Sequence, residues 1–334
     1  MSKRFIAGIA AVAIVAAGMA LYFGSNNAIH VDNDNGKPEK VSVRMKWFFA
    51  GTMTGWFAGK QEGIFERRGI DLTITPGGPD NNSVKLVAAG TDLFGVAGAD
   101  EVLLARAKGI PVVAIGVLFK ESPICFISKK AKSIQTPEDW ASKTVEVSYG
   151  SNAEVQYRAL VAKYNVGDIK EVPYTFSLAP FIDNKADVSV AYKMDQVVTL
   201  QRKGVDLSII TAKEHGINPY GDVVITTEAT LKAKPELVRS FMAAVVESHA
   251  WAIQNPAPAV RLLVDNTGGN LTVENEGEVW RETIPFLTAD GGLDELGRMT
   301  TARWKETSDI LVEYAQLDSA TDIGKAFVNI VDEK

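Results

Sequence analysis

Cysteine, histidine and dense basic runs are scarce in this sequence of 334 residues, which contains one cysteine and three histidines. A single cysteine excludes both an intramolecular disulfide and a metal site built from several cysteines. Lysine and arginine number 35 against 41 acidic residues, which gives a net charge of −6. Because nucleic-acid-binding proteins carry concentrated positive charge, nucleic acid is not expected as a partner.

Sequence motifs of several catalytic classes are also absent. The chain has no G-x-S-x-G, P-loop, G-x-G-x-x-G or H-E-x-x-H pattern. His30, His215 and His249 lack the spacing of metal ligands, so neither a metal nor a cofactor is expected. Cys125 lies in an apolar run and His249 lies on the apolar face of a helix beginning at Pro235, so both are predicted to be packed in the interior.

The N-terminus carries a pattern typical of export. Lys3 and Arg4 precede an uncharged stretch of about 20 residues, from Phe5 to Gly24. Residues 1–28 are therefore expected to be either a signal peptide, cleaved after Ala28, or a membrane anchor that stays attached. Either alternative places the folded body outside the cytoplasm. Residues 29–40 are polar and predict a flexible spacer.

From Val41 onward, short β-branched runs alternate with segments of helical period. This alternation predicts an α/β fold with mostly parallel sheets. Two similar α/β blocks occur in tandem, one before residue 119 and one after Pro123. After a strand at Val223 to Thr227, the pattern is helical to the end of the chain. A length of 334 residues suits two lobes.

Several segments occur in an order that is characteristic of one protein family. They read KWFFAGTMTGWF at 46–57, KQEGIF at 60–65, GVAGADEVLLAR at 95–106, KGIPVV at 108–113, TPEDW at 136–140, YGD at 220–222 and PELV at 235–238. Together they resemble the solute-binding proteins of the thiamine-pyrimidine, sulfonate and nitrate type. These are periplasmic proteins that deliver small molecules to ABC importers.

The resemblance implies a two-lobed periplasmic-binding-protein fold of type II, monomeric and extracytoplasmic, with an ABC permease and its ATPase as partners. Lobe 1 is expected to comprise residues 41–118 plus 218–334, and lobe 2 residues 119–213, with crossovers near 119–123 and 213–218. Ala50 and Met53 stand where the pyrimidine-binding branch usually has Asn and His. The exact ligand therefore remains open. The related pyrimidine synthases use that histidine and a cysteine-rich motif. Both are missing from this sequence, so an enzyme is the less favoured alternative.

The candidate ligand site follows from the rule that ligands bind where the carboxyl ends of parallel strands lead into loops. Applied to the predicted strands, this rule selects loops that are rich in acids and aromatic side chains and contain one basic residue, Lys193. The predicted ligand-binding residues are Trp47, Thr54, Trp56, Asp100, Tyr149, Gly150, Ser151, Asn152, Glu154, Tyr192, Asp195, Tyr220 and Asp222.

The charge of these loops favours a neutral or cationic ligand, such as an aminopyrimidine, another nitrogen heterocycle or an amine, because carboxylates repel anions. Asp100 or Glu154 is expected to accept hydrogen bonds from the donor groups of this ligand. A sulfonate, nitrate or taurine ligand is the alternative within the same fold. Purely structural roles are also open, since Asp100 could cap a helix, Glu154 could stabilise a helix N-terminus and Trp47 could belong to the core.

Overall fold

The structure is a computed structural model that describes residues 37–269, 271–314, 317–319 and 322–332. The predicted export segment and most of the predicted spacer therefore lie outside the described residues. Among the helices that are described, none combines the length and the apolar content that crossing a bilayer requires.

Two five-stranded sheets form the framework, one in each half of the molecule. The first sheet has the order β2-β1-β3-β10-β4 and the second has the order β7-β6-β8-β5-β9. The strands are β1 (Glu39–Arg44), β2 (Ile70–Thr75), β3 (Phe94–Gly98), β4 (Val112–Val117), β5 (Ile124–Lys129), β6 (Thr144–Val147), β7 (Lys170–Pro173), β8 (Val188–Tyr192), β9 (Leu207–Thr211) and β10 (Asp222–Thr227).

Each sheet is mostly parallel, as predicted, because four of its five strands run in one direction and one strand runs in the other. Strand β1 is parallel to β2 and β3, and β6 is parallel to β7 and β8. Strand β5, however, is antiparallel to β8 and β9, and β10 is antiparallel to β3 and β4. The reason lies in the crossovers. The chain leaves β4, and later β9, at the carboxyl end of the strand, on the side that faces the other sheet. The next strand, β5 or β10, enters the other sheet from the side where its parallel strands end, so it runs in the opposite direction to them.

Helices cover both sheets and form most of the chain after β10. They are α1 (Thr54–Gln61), α2 (Ser83–Ala88), α3 (Ala99–Ala107), α4 (Asn152–Tyr164), α5 (Ala179–Ile182), α6 (Gln196–Arg202), α7 (Glu228–Ala233), α8 (Pro235–Gln254), α9 (Pro256–Thr267), α10 (Val273–Thr288) and α11 (Thr301–Glu313). Helix α1 ends at Gln61, two residues before Gly63, which adopts a left-handed backbone conformation with φ +68°.

Helix α1 lies unusually close to α8, and this contact fixes the position of the loop before α1. A Cβ atom added to Gly55 would lie 2.4 Å from the ring of His249, and one added to Gly59 would lie 1.8 Å from Ser248 Oγ. The His249 ring packs edge-on against Trp56 at 5.5 Å, and its Nδ1 is 2.8 Å from the Val245 carbonyl oxygen. The prediction that His249 is a packed residue is therefore confirmed.

The two halves share parts of their cores. Helix α11 packs Trp304 and Leu311 against the helices and strands of the first sheet, whereas its Ile310 joins the core of the second. Met194, which follows β8 of the second sheet, is buried in the core of the first. Cys125 on β5 is fully buried, as predicted, and burial raises the pKa of its thiol to about 12. The C-terminal helices therefore support both halves of the molecule.

Candidate functional site

A cleft of about 190 Å³ opens between the two sheets, at the edge where their parallel strands end. Its walls come from the segments that follow β1, β6 and β8, and from the first residue of β10. Nine of the thirteen predicted ligand-binding residues line it: Trp47, Trp56, Tyr149, Gly150, Ser151, Asn152, Tyr192, Asp195 and Asp222. Ala50 and Met53, the two departures from the family pattern, also line it.

Four predicted residues are not part of the cleft lining. Thr54 is buried, and its hydroxyl donates to the Gly51 carbonyl oxygen at 2.7 Å, which fixes the start of α1. The Tyr220 hydroxyl accepts a hydrogen bond from the Thr300 backbone N–H at 3.0 Å, so this ring holds the loop before α11. Asp100 and Glu154, the other two, have contacts that explain their position.

Asp100 lies fully buried in the first turn of α3. Its Oδ1 accepts the Glu101 backbone N–H at 2.8 Å, and its Oδ2 has no hydrogen-bond partner in the described part of the protein. Burial, assisted by the nearby Glu101 carboxylate, raises the pKa of Asp100 to about 7 even though Lys46 acts in the opposite direction. A carboxyl group in this setting is partly protonated near neutral pH.

The Glu154 carboxylate forms its hydrogen bond and its ion pair within its own half of the molecule. Its Oε2 accepts the Gly150 backbone N–H at 2.7 Å, and its Oε1 pairs with Arg158 at 3.3 Å. Gly150 has φ +74°, a left-handed conformation that favours glycine. Glu154 therefore shapes the turn of Gly150 and Ser151 that forms one wall of the cleft, while Ser151 caps α4 by accepting the Ala153 N–H.

Sequence reasoning missed Lys46, which is the only lysine or arginine among the described residues that line the cleft. Its Nζ donates to Asp222 Oδ1 at 3.0 Å and lies 5.5 Å from the centre of the Tyr192 ring. Burial by itself would lower the pKa of Lys46, but Asp222, Tyr192 and nearby acids raise it well above the usual value. Lys46 is therefore a charged, paired residue. Lys193, the basic residue expected from the loop sequences, does not line the cleft.

Further carboxylates face the same space. Glu101 lines the cleft and accepts the Gly98 backbone N–H at 2.7 Å. Asp195 accepts Gln196 Nε2 at 2.6 Å, and Gln196 in turn accepts the Tyr192 backbone N–H at 2.7 Å. Asp195 is half-buried and lines the cleft. Burial and the Glu276 carboxylate raise the pKa of Asp195 to about 7. Acidic groups therefore outnumber the one paired lysine.

Aromatic side chains from both halves meet across the cleft. The Trp47 ring lies 5.4 Å from Phe48 and 5.4 Å from Phe176, which comes from the other half of the molecule, and Phe176 packs edge-on against Tyr174. Phe176 has φ +59°, an uncommon conformation for a bulky residue. The sequence reasoning missed Phe48, Tyr174 and Phe176, although Phe48 lies within the loop that it selected.

Replacing Asp100 by Asn is expected to raise the free energy of unfolding by about 4 kcal/mol at pH 8 and to leave it unchanged below pH 4. The carboxyl pKa is about 7 in the folded protein, against an ordinary value of 3.8. As the pH rises between these values the unfolded chain loses this proton first, so the parent becomes less stable, whereas Asn has no proton to lose. Urea unfolding at pH 4, 6 and 8 measures this, with the exposed Asp71→Asn as control. An equal gain at pH 4 and 8 would show that titration of Asp100 is not its cause.

Among the described residues, no group of three or more His, Cys, Asp and Glu side chains is arranged to hold a metal ion. The residues that line the cleft can instead bind a small organic molecule, because they combine flat apolar faces with a few hydrogen-bonding groups.

Comparison with known proteins adds to this description. A family model described as "NMT1/THI5 like" matches residues 51–259. The chain is 26% identical over 309 residues to a riboflavin-binding protein of Chloroflexus aurantiacus, covering 87% of this chain and 85% of that protein. It is 23% identical over 322 residues to a formylaminopyrimidine-binding protein of Halalkalibacterium halodurans, covering 94% and 97%.

Among solved structures, the periplasmic aliphatic sulphonate-binding protein of Escherichia coli is similar, with a TM-score of 0.68 and 16% sequence identity. The match covers 88% of this chain and 93% of that protein. A likeness at this level of identity concerns the fold. The two-lobed periplasmic-binding-protein fold predicted from the sequence is thus confirmed for the described residues.

Proposed function

The chain belongs to the NMT1/THI5-like family, and from this membership we propose that it is the substrate-binding component of an ABC importer, acting outside the cytoplasm. Its partners in this role are a small-molecule ligand, a membrane permease and the ATPase of that permease. The predicted export segment, with Lys3 and Arg4 before an apolar stretch, supports the extracytoplasmic location.

The proposed ligand is a flat nitrogen heterocycle, of the kind that the riboflavin-binding and formylaminopyrimidine-binding relatives are named for. The observation that carries this proposal is the composition of the cleft, where aromatic rings from both halves accompany Glu101, Asp195 and Asp222. Aromatic faces cover a planar ring system efficiently, and carboxylates accept its N–H donors. We propose that the nine predicted residues that line the cleft contact this ligand.

A sulfonate ligand is less compatible with the same cleft. An anion needs donors and positive charge around it, but Lys46 is already paired with Asp222, and Glu101 adds a further negative charge. Such a ligand would approach two carboxylates in surroundings of low dielectric constant, where like charges repel strongly. The cleft therefore favours heterocycles over sulfonates and nitrate.

We expect riboflavin or formylaminopyrimidine to raise the melting temperature of the protein by several degrees at a hundredfold excess over Kd, because binding to the folded state alone adds about 2.7 kcal/mol to its stability. Methanesulfonate, taurine and nitrate are expected to give no shift. Differential scanning fluorimetry, followed by calorimetry on any ligand that gives a shift, measures both. Stabilisation by a sulfonate alone would contradict the proposed ligand class.

Binding is proposed to occur without chemical change. Cys125, the single cysteine of the chain, and His249 are both buried in the packed interior, away from the cleft. Burial lowers the pKa of His249 to about 4, so this ring is neutral at physiological pH. A bound heterocycle is therefore expected to be recovered intact, which mass spectrometry of the ligand after incubation and denaturation tests. A modified product would favour the synthase-like alternative.

We also propose that lobe 1 (residues 41–118 plus 218–334) and lobe 2 (residues 119–213) close around the ligand by a hinge motion. Contacts between the lobes beside the cleft support a closed form. Arg202 on α6 pairs with Glu278 on α10 at 2.8 Å, and the Thr199 hydroxyl lies 3.4 Å from Asn275 Oδ1. The Trp47 and Phe176 rings meet over the cleft in the same state.

Small-angle scattering tests this motion. The radius of gyration is expected to decrease when riboflavin or formylaminopyrimidine is added at saturating concentration, because ligand contacts with both lobes favour the closed state. A sulfonate that does not bind is the control and should leave the scattering unchanged. Tight binding without compaction would contradict the hinge but not the binding role.

A further inference from the structure

The Lys46–Asp222 pair occupies a position that the topology of the first sheet determines. Lys46 follows β1, and Asp222 is the first residue of β10, which is antiparallel to β3 and pairs Asp222 with Gly98 at the end of that strand. Strands β1 and β3 are parallel neighbours. The start of β10 therefore meets the ends of β1 and β3 at the cleft edge, and this brings together two charged residues that are 176 positions apart in the chain.

Both members of the pair keep hydrogen-bonding capacity toward the cleft. An ammonium group has three N–H donors, and Lys46 directs one to Asp222 Oδ1 while the Tyr192 ring lies beside it. Asp222 Oδ2 accepts no hydrogen bond from the part of the protein that the structure describes. The two side chains are 12% and 13% exposed, and both line the cleft. A donor and an acceptor are thus presented side by side.

We propose, on the basis of the proposed function, that Lys46 and Asp222 recognise one neutral edge of the heterocycle. On this edge a hydrogen-bond acceptor lies next to a hydrogen-bond donor. In a lactam or imide edge the carbonyl oxygen accepts from Lys46 while the adjacent ring N–H donates to Asp222. An aminopyrimidine offers the same pattern with its unprotonated ring nitrogen and its amino group. Hydrogen bonds to charged partners are about twice as strong as those between neutral groups, so the pair determines specificity.

This pairing selects against a cationic edge with two donors. A protonated aminopyrimidine or an amidinium would fit a lone carboxylate, but here one of its donors would face the Lys46 ammonium group. Like charges at such a distance repel, and the partly buried site strengthens the repulsion. The ligand is therefore expected to bind in its unprotonated form, although the other acids of the cleft, Glu101 and Asp195, make the site acidic overall.

The first experiment changes the ligand and leaves the protein intact. Riboflavin has an imide N–H between two carbonyl groups, and 3-methylriboflavin differs from it only by a methyl group at that nitrogen. Quenching of flavin fluorescence is expected to give an affinity about thirtyfold lower for the methylated compound, the loss typical of a hydrogen bond to a charged group. Equal affinities would overturn the inference while leaving the proposed function in place.

The second experiment changes the pair and uses whichever of riboflavin and formylaminopyrimidine binds. Lys46→Met and Asp222→Asn are each expected to weaken binding tenfold or more. Lys60→Met and Asp71→Asn, at exposed positions away from the cleft, are matched controls that should bind as the parent does. Thermal unfolding of each variant checks that it folds.

Three outcomes distinguish a failure of this inference from a failure of the proposed ligand class. Parent-like binding by either pair variant would overturn the inference alone. Binding of neither riboflavin nor formylaminopyrimidine by the parent would overturn the proposed ligand class and the inference with it. Weakened binding by both pair variants, with parent-like controls, would support the inference. If a pair variant fails to fold, the comparison of riboflavin with 3-methylriboflavin decides the question.

Discussion

Replacing Gly59 by valine is expected to lower the free energy of unfolding by at least about 3 kcal/mol and to prevent stable folding at physiological temperature. A Cβ atom at this position would lie 1.8 Å from Ser248 Oγ and 2.3 Å from Ser248 Cβ, and 3.0 Å from a ring carbon of Phe65. Helices α1 and α8 contribute Trp56 and Phe241 to one hydrophobic core. Neither helix can therefore move away from the other without opening that core. Denaturant unfolding followed by tryptophan fluorescence measures the loss.

Gly277→Ala provides the matched control for this substitution. Gly277 lies inside α10, and a Cβ added there would meet no atom within 4 Å. Alanine favours a helix by up to about 1 kcal/mol over glycine, so this variant should be equally or more stable than the parent. If Gly59→Val unfolds at the same denaturant concentration as the parent, the close approach of α1 and α8 is not present in solution.

Replacing Trp47 by alanine is expected to weaken ligand binding roughly a hundredfold with a much smaller change in stability. Trp47 lies at the cleft between Phe48 and Phe176, and its indole ring supplies a large flat surface. A planar heterocycle would lose both stacking and the exclusion of water on removal of this ring. Calorimetry with the heterocycle that the parent binds gives the change in affinity.

Ile182→Ala is the control for Trp47→Ala, because Ile182 is an exposed apolar residue that does not line the cleft. Its affinity should equal that of the parent. A loss of stability in Trp47→Ala as large as the loss of binding free energy would indicate that Trp47 acts mainly as a core residue. Parent-like affinity would remove Trp47 from the proposed contacts.

Much of the fold follows from local pattern. Strand β2 is buried at Ile70 and Leu72 and exposed at Asp71, and this alternation is readable in the sequence. The helical stripe after Pro235 predicts α8, which is buried at Val238, Phe241, Met242, Val245 and His249. Strand β5 was not predicted, because the run from Ile124 to Ile127 is apolar on both faces and has no alternation.

The direction of a strand is not a local property. Nothing in the side chains of β5 or β10 distinguishes an antiparallel strand from a parallel one. Their direction depends on the edge at which the chain arrives from the other half of the molecule. The sequence predicted mostly parallel sheets, which four of the five strands in each sheet confirm, whereas the crossovers reverse the fifth strand, β10 or β5.

For the site, the sequence by itself determined that the loops after β1, β6 and β8 form part of the cleft, because the carboxyl ends of strands can be located from strand patterns. Trp47, Tyr149 and Asp195 were found in this way, and all three line the cleft. The sequence did not select the segments after β2 and β7, which contribute Gly78 and Phe176. The tertiary structure alone decided which polar groups remain free to form hydrogen bonds with a ligand. It turned Asp100 into the interior and Glu154 toward Gly150, and it joined Lys46 to Asp222. The physical reason is that strand and helix periods specify the face on which a side chain lies, whereas partners distant in the chain determine its charge state and its free hydrogen-bonding atoms.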